Sequence, residues 1–320
     1  MSLYMDTPTT ITPAASQHSK FPLTPIQRRS LAIVVLIAAV ALIGYFAYRH
    51  WQGSQLVPAG QMVTIASDGL PLAAMQRIDL EDGSLVPLNT EGQGTAVVLD
   101  AAHTDAKGYY LIGDPGFSRS NLYRQDRENP GVGLEELTHS TTLKFDLAYD
   151  DLSGVAAYVS VPEAGGDGHI TVWSPLTKKE TDIGAGMHPV LLPGGFFVVL
   201  ERDGKVMSVN VETGEAYELL SLAPDAVFAV DAQNMKLALY VPALGTIQQF
   251  SIANSVGASF ESAIQAPSAP GEMAFSGGAL VTGTIDAGTG ELVLARGDET
   301  FRVHPPAPLP GDYKLSILHD

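Results

Sequence analysis

The sequence predicts an all-β fold built from one repeated unit, and three observations carry that expectation. From Gln61 onward no long apolar pattern recurs every 3.6 residues. Short runs rich in Val, Leu, Phe and Tyr alternate instead with Gly, Asp, Asn and Pro turns, as in a chain of many short strands. A first series of hairpins, each with a strongly apolar second arm, turns near Ala106, Leu152, Gly194, Gln233 and Gly277. A second series interleaves with it and turns near Asp82, Asn129, Thr177, Thr213, Ser255 and Gly297. Both series repeat at about 43 residues, and a unit of 40 to 50 residues with two successive hairpins is a propeller blade. The expected fold is therefore a six-bladed β-propeller, with seven blades as the alternative count, preceded by a single transmembrane helix.

In chain order, residues 1–29 combine Thr, Ser and Pro with almost no apolar periodicity and read as a disordered cytoplasmic tail. Residues 30–51 hold the transmembrane expectation. Leu31 to Tyr48 is uncharged throughout, bounded by Arg28 and Arg29 before it and Arg49 after it. As a helix this stretch is about 27 Å long, the hydrocarbon thickness of a bilayer. Ala47 is followed by Tyr48, Arg49, His50 and Trp51, which is no small-x-small cleavage site, so the segment reads as a retained anchor. Lys20, Arg28 and Arg29 precede it, whereas the next cation after Arg49 is Arg77. That asymmetry places the amino terminus in the cytoplasm and the rest of the chain outside it, periplasmic or extracellular, with Tyr45, Tyr48 and Trp51 at the outer interface. Residues 52–60 form a short linker, and residues 61–320 the propeller.

The second hairpin series has one member more than the first, so the blade containing RIDLEDGSLVPL lacks a strand ahead of Gln61 to Ser67. The end of the chain offers one. After the crossing PPAPLPG (Pro305 to Gly311), DYKLSILHD is a β-competent segment with no other partner. Entering the first blade as its innermost strand, it would close the ring and remove an open edge.

Charge and composition exclude several functions. The first 51 residues carry a net +3 and the remainder −20. A surface that acidic repels nucleic acid and anionic lipid at range, favours solubility and suits partner proteins with basic patches. With no cysteine in the chain, disulfides, thiolate metal sites and a cysteine nucleophile are excluded.

LAYDDLSGVAAYVS (Leu147 to Ser160) resembles the inner hairpin of TolB-like propellers, whose repeats centre on a W-S-P-D-G turn before an apolar strand; Tyr149 to Gly154 is the nearest stretch here. ITVWSPLTKKE and SVNVETGEAYEL similarly resemble the outer hairpins of WD-repeat-like blades. The resemblance spans about residues 61–320. It implies a six-bladed ring that offers binding surfaces at its two faces and central channel, in families that mostly bind partners or act as scaffolds.

Residues suited to chemistry are few. His103 and His188 fall near expected inner hairpins and could approach the channel, but the eight His show no metal-ligand spacing. Asp150, Asp151, Asp203, Asp225 and Asp231 could gather at one rim and hold a cation, although Asp also serves turns. No G-x-S-x-G elbow occurs. Arg296-Gly297-Asp298 spells an adhesion tripeptide on an expected turn. Phe196, Phe197, Tyr109, Tyr110 and Trp173 read as packing between blades. No residue is assigned as catalytic, cofactor-binding or metal-binding, and no cofactor is expected. The leading expectation is a non-enzymatic scaffold for envelope or membrane proteins; the alternatives are a glycan hydrolase or lyase using channel carboxylates and a cation-dependent ligand sensor.

Overall fold

The computed structural model describes residues 60–318, apart from 68–69, 72–75, 79–84, 88–95, 104–106, 115, 127–132, 163–165, 277, 297–298 and 304–312. The chain divides into two units, Met1–Tyr48 and Arg49–Asp320, and all described residues belong to the second. The expected tail, the Leu31 to Tyr48 anchor and residues 52–59 of the linker lie outside the described residues. So do the turn centres Asp82, Ala106, Asn129, Gly277 and Gly297, Asp298 of the tripeptide, and the Pro305 to Gly311 crossing. Among the described residues no helix is long and apolar enough to cross a membrane.

Every element found is a strand. The first sheet contains β1 (Gly60–Ser67), β2 (Leu70–Pro71), β3 (Gln76–Ile78) and β4 (Leu85–Pro87). Next come β5 (Val97–His103), β6 (Lys107–Gly113), β7 (Ser120–Asp126) and β8 (Leu134–Glu136), then β9 (Leu143–Asp150), β10 (Val155–Val161), β11 (His169–Ser174) and β12 (Lys179–Ala185). A fourth sheet holds β13 (Met187–Leu191), β14 (Phe197–Arg202), β15 (Lys205–Asn210) and β16 (Ala216–Ser221). The fifth holds β17 (Phe228–Asp231), β18 (Lys236–Val241), β19 (Thr246–Ser251) and β20 (Ser259–Gln265); the sixth, β21 (Glu272–Ser276), β22 (Ala279–Ile285), β23 (Leu292–Arg296) and β24 (Glu299–Val303). The last five are four-stranded antiparallel meanders in chain order. Each opens with one of the five hairpins of the first sequence series.

The expectation of six like blades, or seven, is corrected here. Five sheets are regular four-stranded blades. The sheet of β1 to β4 is different: it has five strands, one of them the two-residue β2, and it takes in β25 (Tyr313–Leu318) from the far end of the chain. The physical reason is the hairpin missing from the first sequence series: among the described residues the strand beside β1 in the first-strand position is β25. β25 pairs antiparallel with β1 from Gly60↔Leu318 to Ile65↔Tyr313 and lies against both β21 and β5. The first strands of neighbouring blades touch in the same way, β5 with β9, β9 with β13 and β17 with β21.

Burial follows position in the blade. Second strands are covered by neighbouring sheets on both faces and read as nearly unbroken apolar runs: Ala156 to Val159 of β10, Val198 to Leu200 of β14 and Leu237 to Tyr240 of β18 are all buried. Fourth strands are mostly exposed, β20 along its whole length. The core accordingly lies between sheets rather than inside one. One cluster joins Leu99, Tyr109 and Leu122 to Phe145, Tyr158 and Trp173 and to Val198 and Leu200. A second joins Leu192, Val199 and Val206 to Leu237, Leu239 and Phe250. Tyr109, Tyr110 and Trp173 are buried as expected, whereas Phe196 is 64% exposed. It sits beyond Gly194 and Gly195, whose positive φ of 91° and 70° turns the chain outward before β14 begins.

Candidate binding face

Strand alternation gives the ring two rims. On one lie the hairpin turns β9–β10, β11–β12, β13–β14 and their equivalents. On the other, β10 turns to β11 and each blade passes to the next; a single residue, Gly186, joins β12 to β13. Asp150, Asp151 and Asp231 lie on the hairpin rim, but Asp203, between β14 and β15, and Asp225, between β16 and β17, lie on the other. The expected single acidic rim is therefore corrected: the Asp residues are split between two ends because alternate turns of a meander face opposite ways. Among the described residues no group of three or more His, Asp or Glu could hold a metal ion.

The buried carboxylates are engaged by backbone. One Asp150 oxygen, Oδ2, accepts the Ser153 N–H at 2.9 Å, the Ser153 hydroxyl, and the Gly194 N–H of the next blade at 3.1 Å. It fixes its own turn and docks the neighbouring one. Asp231 repeats the device within its turn, accepting the Asn234 N–H at 3.1 Å and its side-chain amide at 2.7 Å.

A second series runs through three of the first strands, β5, β9 and β13, each of which carries a β-bulge. The register shifts between Val98 and Asp100 in β5, around Asp146 and Leu147 in β9, and around His188 and Pro189 in β13. Asp146 and His188 take positive φ, 60° and 53°, a conformation Asp and His tolerate better than most side chains. Asp100 Oδ2 accepts the Leu147 N–H at 2.7 Å, and Asp146 Oδ2 accepts the His188 N–H at 2.9 Å. The bulges of β9 and β13 thus expose backbone donors that a carboxylate of the preceding blade takes up. His188 also brings Nδ1 to 3.2 Å from Asp146 and its ring edge-on to Phe228 of the following blade. The ring of His188 is nearly half exposed.

Sequence reasoning missed Asp100, Asp146 and Lys144. The available signal was a charge inside an apolar run, in VVLDAA and KFDLAY. Lys144 is fully buried where the second blade meets the third. Its ammonium donates to the Ser120 carbonyl at 3.2 Å, to Thr142 Oγ1 at 3.0 Å and to Ser140 Oγ, with Glu180 at 3.7 Å. Burial pushes the Lys144 ammonium below its ordinary range against the pull of Glu180, and burial raises the Tyr158 phenol, whose hydroxyl donates to Glu180 at 2.7 Å. This knot joins two blades.

The exposed turns β15–β16, β19–β20 and β22–β23 use local acceptors. Asn210 Oδ1 accepts from Glu212 N and Thr213 N at 2.9 Å, Asn254 Oδ1 from Val256 N and Gly257 N, and Asp286 Oδ1 from Gly288 N and Thr289 N. They are Asx turns.

The hairpin rim displays Leu152 at 80% exposure, Leu176 at 94% and Phe196 at 64%. Their turns are packed in sequence: a Cβ on Gly195 would meet Ser153 Oγ at 2.4 Å, and one on Gly154 would meet Pro175 Cγ at 3.3 Å. Three apolar side chains thus stand exposed on neighbouring turns of one rim, two of those turns joined by the bond from Gly194 N–H to Asp150.

Comparison with solved structures returns many matching chains. TolB from Acinetobacter baumannii is similar with a TM-score of 0.52 and 15% identity, over 82% of this chain and 67% of that one. A nidogen/laminin complex matches with a TM-score of 0.47 and 13% identity, over 81% of this chain and 99% of that one. The fold is a β-propeller. No family model matches the chain, and no curated protein does.

Proposed function

We propose that this β-propeller is a membrane-anchored, extracytoplasmic binding scaffold of the cell envelope, without catalytic activity of its own. The observation that carries the reading is the use made of its buried carboxylates: Asp100, Asp146 and Asp150 each accept backbone N–H groups of the following blade. Groups committed in this way hold turns in place, and rigid turns are what a binding face requires. The pairing of β25 with β1 supports a closed ring in which the composite sheet completes the circle with the five regular blades. The uncharged stretch Leu31 to Tyr48 and the cations before it support the anchor and its orientation. The balance of −20 beyond residue 51 supports steering of partners that carry basic patches, other envelope or membrane proteins. The likeness to TolB supports the fold, and the fold is compatible with a scaffold.

The test uses the full chain in proteoliposomes, with membrane proteins of the same cell as analytes at two salt concentrations. A partner whose on-rate falls several-fold from low to high salt is expected. Turnover of a glycan or peptide substrate that disappears in Asp146→Asn would replace the scaffold with an enzyme.

A further inference from the structure

Leu152, Leu176 and Phe196 share a rim with the point at which the chain enters the propeller. In the composite sheet the order β25, β1, β3, β4 matches the order β9, β10, β11, β12 of a regular blade. β1 therefore corresponds to β10, which starts at the hairpin rim. Gly60, the first residue of β1, faces Leu318 at that end. The uncharged stretch ends at Tyr48, eleven residues lie between it and Gly60, and eleven extended residues reach at most about 40 Å. The chain thus enters the propeller at the hairpin rim. On it stands the turn Pro175-Leu176-Thr177-Lys178-Lys179, an apolar tip followed by two cations, in a domain that is otherwise strongly acidic. Lysines beside an apolar tip reach the headgroup layer while the tip enters it.

We propose that the hairpin rim rests on the phospholipid surface, with Leu152, Leu176 and Phe196 entering the headgroup region and Lys178 and Lys179 meeting anionic lipid. The proposal rests on the anchored reading above. It leaves the opposite rim, with Asp203, Asp225 and Leu244, as the face presented to partners.

Because the chain has no cysteine, single substitutions can each carry one thiol-reactive, environment-sensitive dye. Leu152→Cys, Leu176→Cys and Phe196→Cys are compared with Leu244→Cys, an exposed position of the opposite rim. All are made in the full chain, reconstituted in vesicles of neutral and anionic phospholipid, some with nitroxide-labelled headgroups. Blue-shifted emission and at least three-fold stronger nitroxide quenching at the three rim positions than at Leu244 is the expected result. A chain that floats with the vesicles while all four dyes report water overturns this inference and leaves the anchor standing. Failure to float overturns both. Shielding of the rim dyes in native membranes but not in pure lipid vesicles overturns the lipid contact in favour of a protein on the same rim.

Discussion

Asp150 places three donors on one carboxylate oxygen and so joins two turns of different blades. In Asp150→Ala the Ser153 and Gly194 N–H groups lose their acceptor in a half-buried site, and the expected loss is about 2–4 kcal/mol of stability, measured by denaturant unfolding. Asp150→Asn keeps one acceptor and is expected to lose less. A loss below about 0.5 kcal/mol for the alanine variant would show that the clamp contributes nothing. The exposed turns between second and third strands respond to acid instead. The Gly288 and Thr289 N–H groups, helped by Arg302, hold the Asp286 carboxyl below its ordinary 3.8; the Ser118 hydroxyl and the Ser118 and Arg119 N–H groups do the same for Asp114. A depressed carboxyl binds protons more readily in the unfolded chain, so its stabilisation is full above the ordinary value and is lost as pH falls through the folded one. Asp286→Asn keeps an Asx acceptor, as Asn210 and Asn254 do in their own turns, and no longer titrates. Its Tm should fall less steeply than that of the parent between pH 4 and pH 2.5, and identical slopes by calorimetry would contradict this.

At the scale of elements, β25 carries the most risk. It pairs with six residues of β1 and lies against β21 and β5. Deleting Tyr313 to Asp320 is expected to lower the unfolding midpoint sharply or to abolish cooperative folding, because it opens a long unpaired edge. An unchanged Tm would refute the closure. This pairing was legible in the sequence, as were all eleven hairpins, because turn residues and apolar arms are local signals that repeat. The irregular composition of the first sheet was legible only as one missing hairpin. Phe196 was misread because Phe196-Phe197 looks like the start of an apolar arm, and only the positive φ of Gly194 and Gly195 shows that the strand begins one residue later. Asp100 and Asp146 escaped because they accept backbone groups 47 and 42 residues away, and Lys144 because its ammonium reaches the Ser120 carbonyl 24 residues away, pairings that no local pattern encodes.

At the scale of the whole molecule, the packing that lies between sheets makes each blade depend on its neighbours, and the Asp-to-bulge bonds run in one direction around the ring. A fold held in this way presents two rigid faces, with the apolar tips on one and mostly polar turns on the other. The chain's charge is divided just as sharply, +3 before residue 52 and −20 after it, and that division belongs with a boundary between the two parts. The central claim is that this boundary is a membrane, with the propeller outside the cytoplasm. It can be tested in intact cells, or in spheroplasts where an outer envelope intervenes, by labelling Ser19→Cys and Leu244→Cys variants of the full chain with a membrane-impermeant thiol reagent. Labelling of Leu244→Cys in sealed cells, with Ser19→Cys labelled only after permeabilisation, is the predicted result; the reverse pattern, or labelling of both only after permeabilisation, would contradict it.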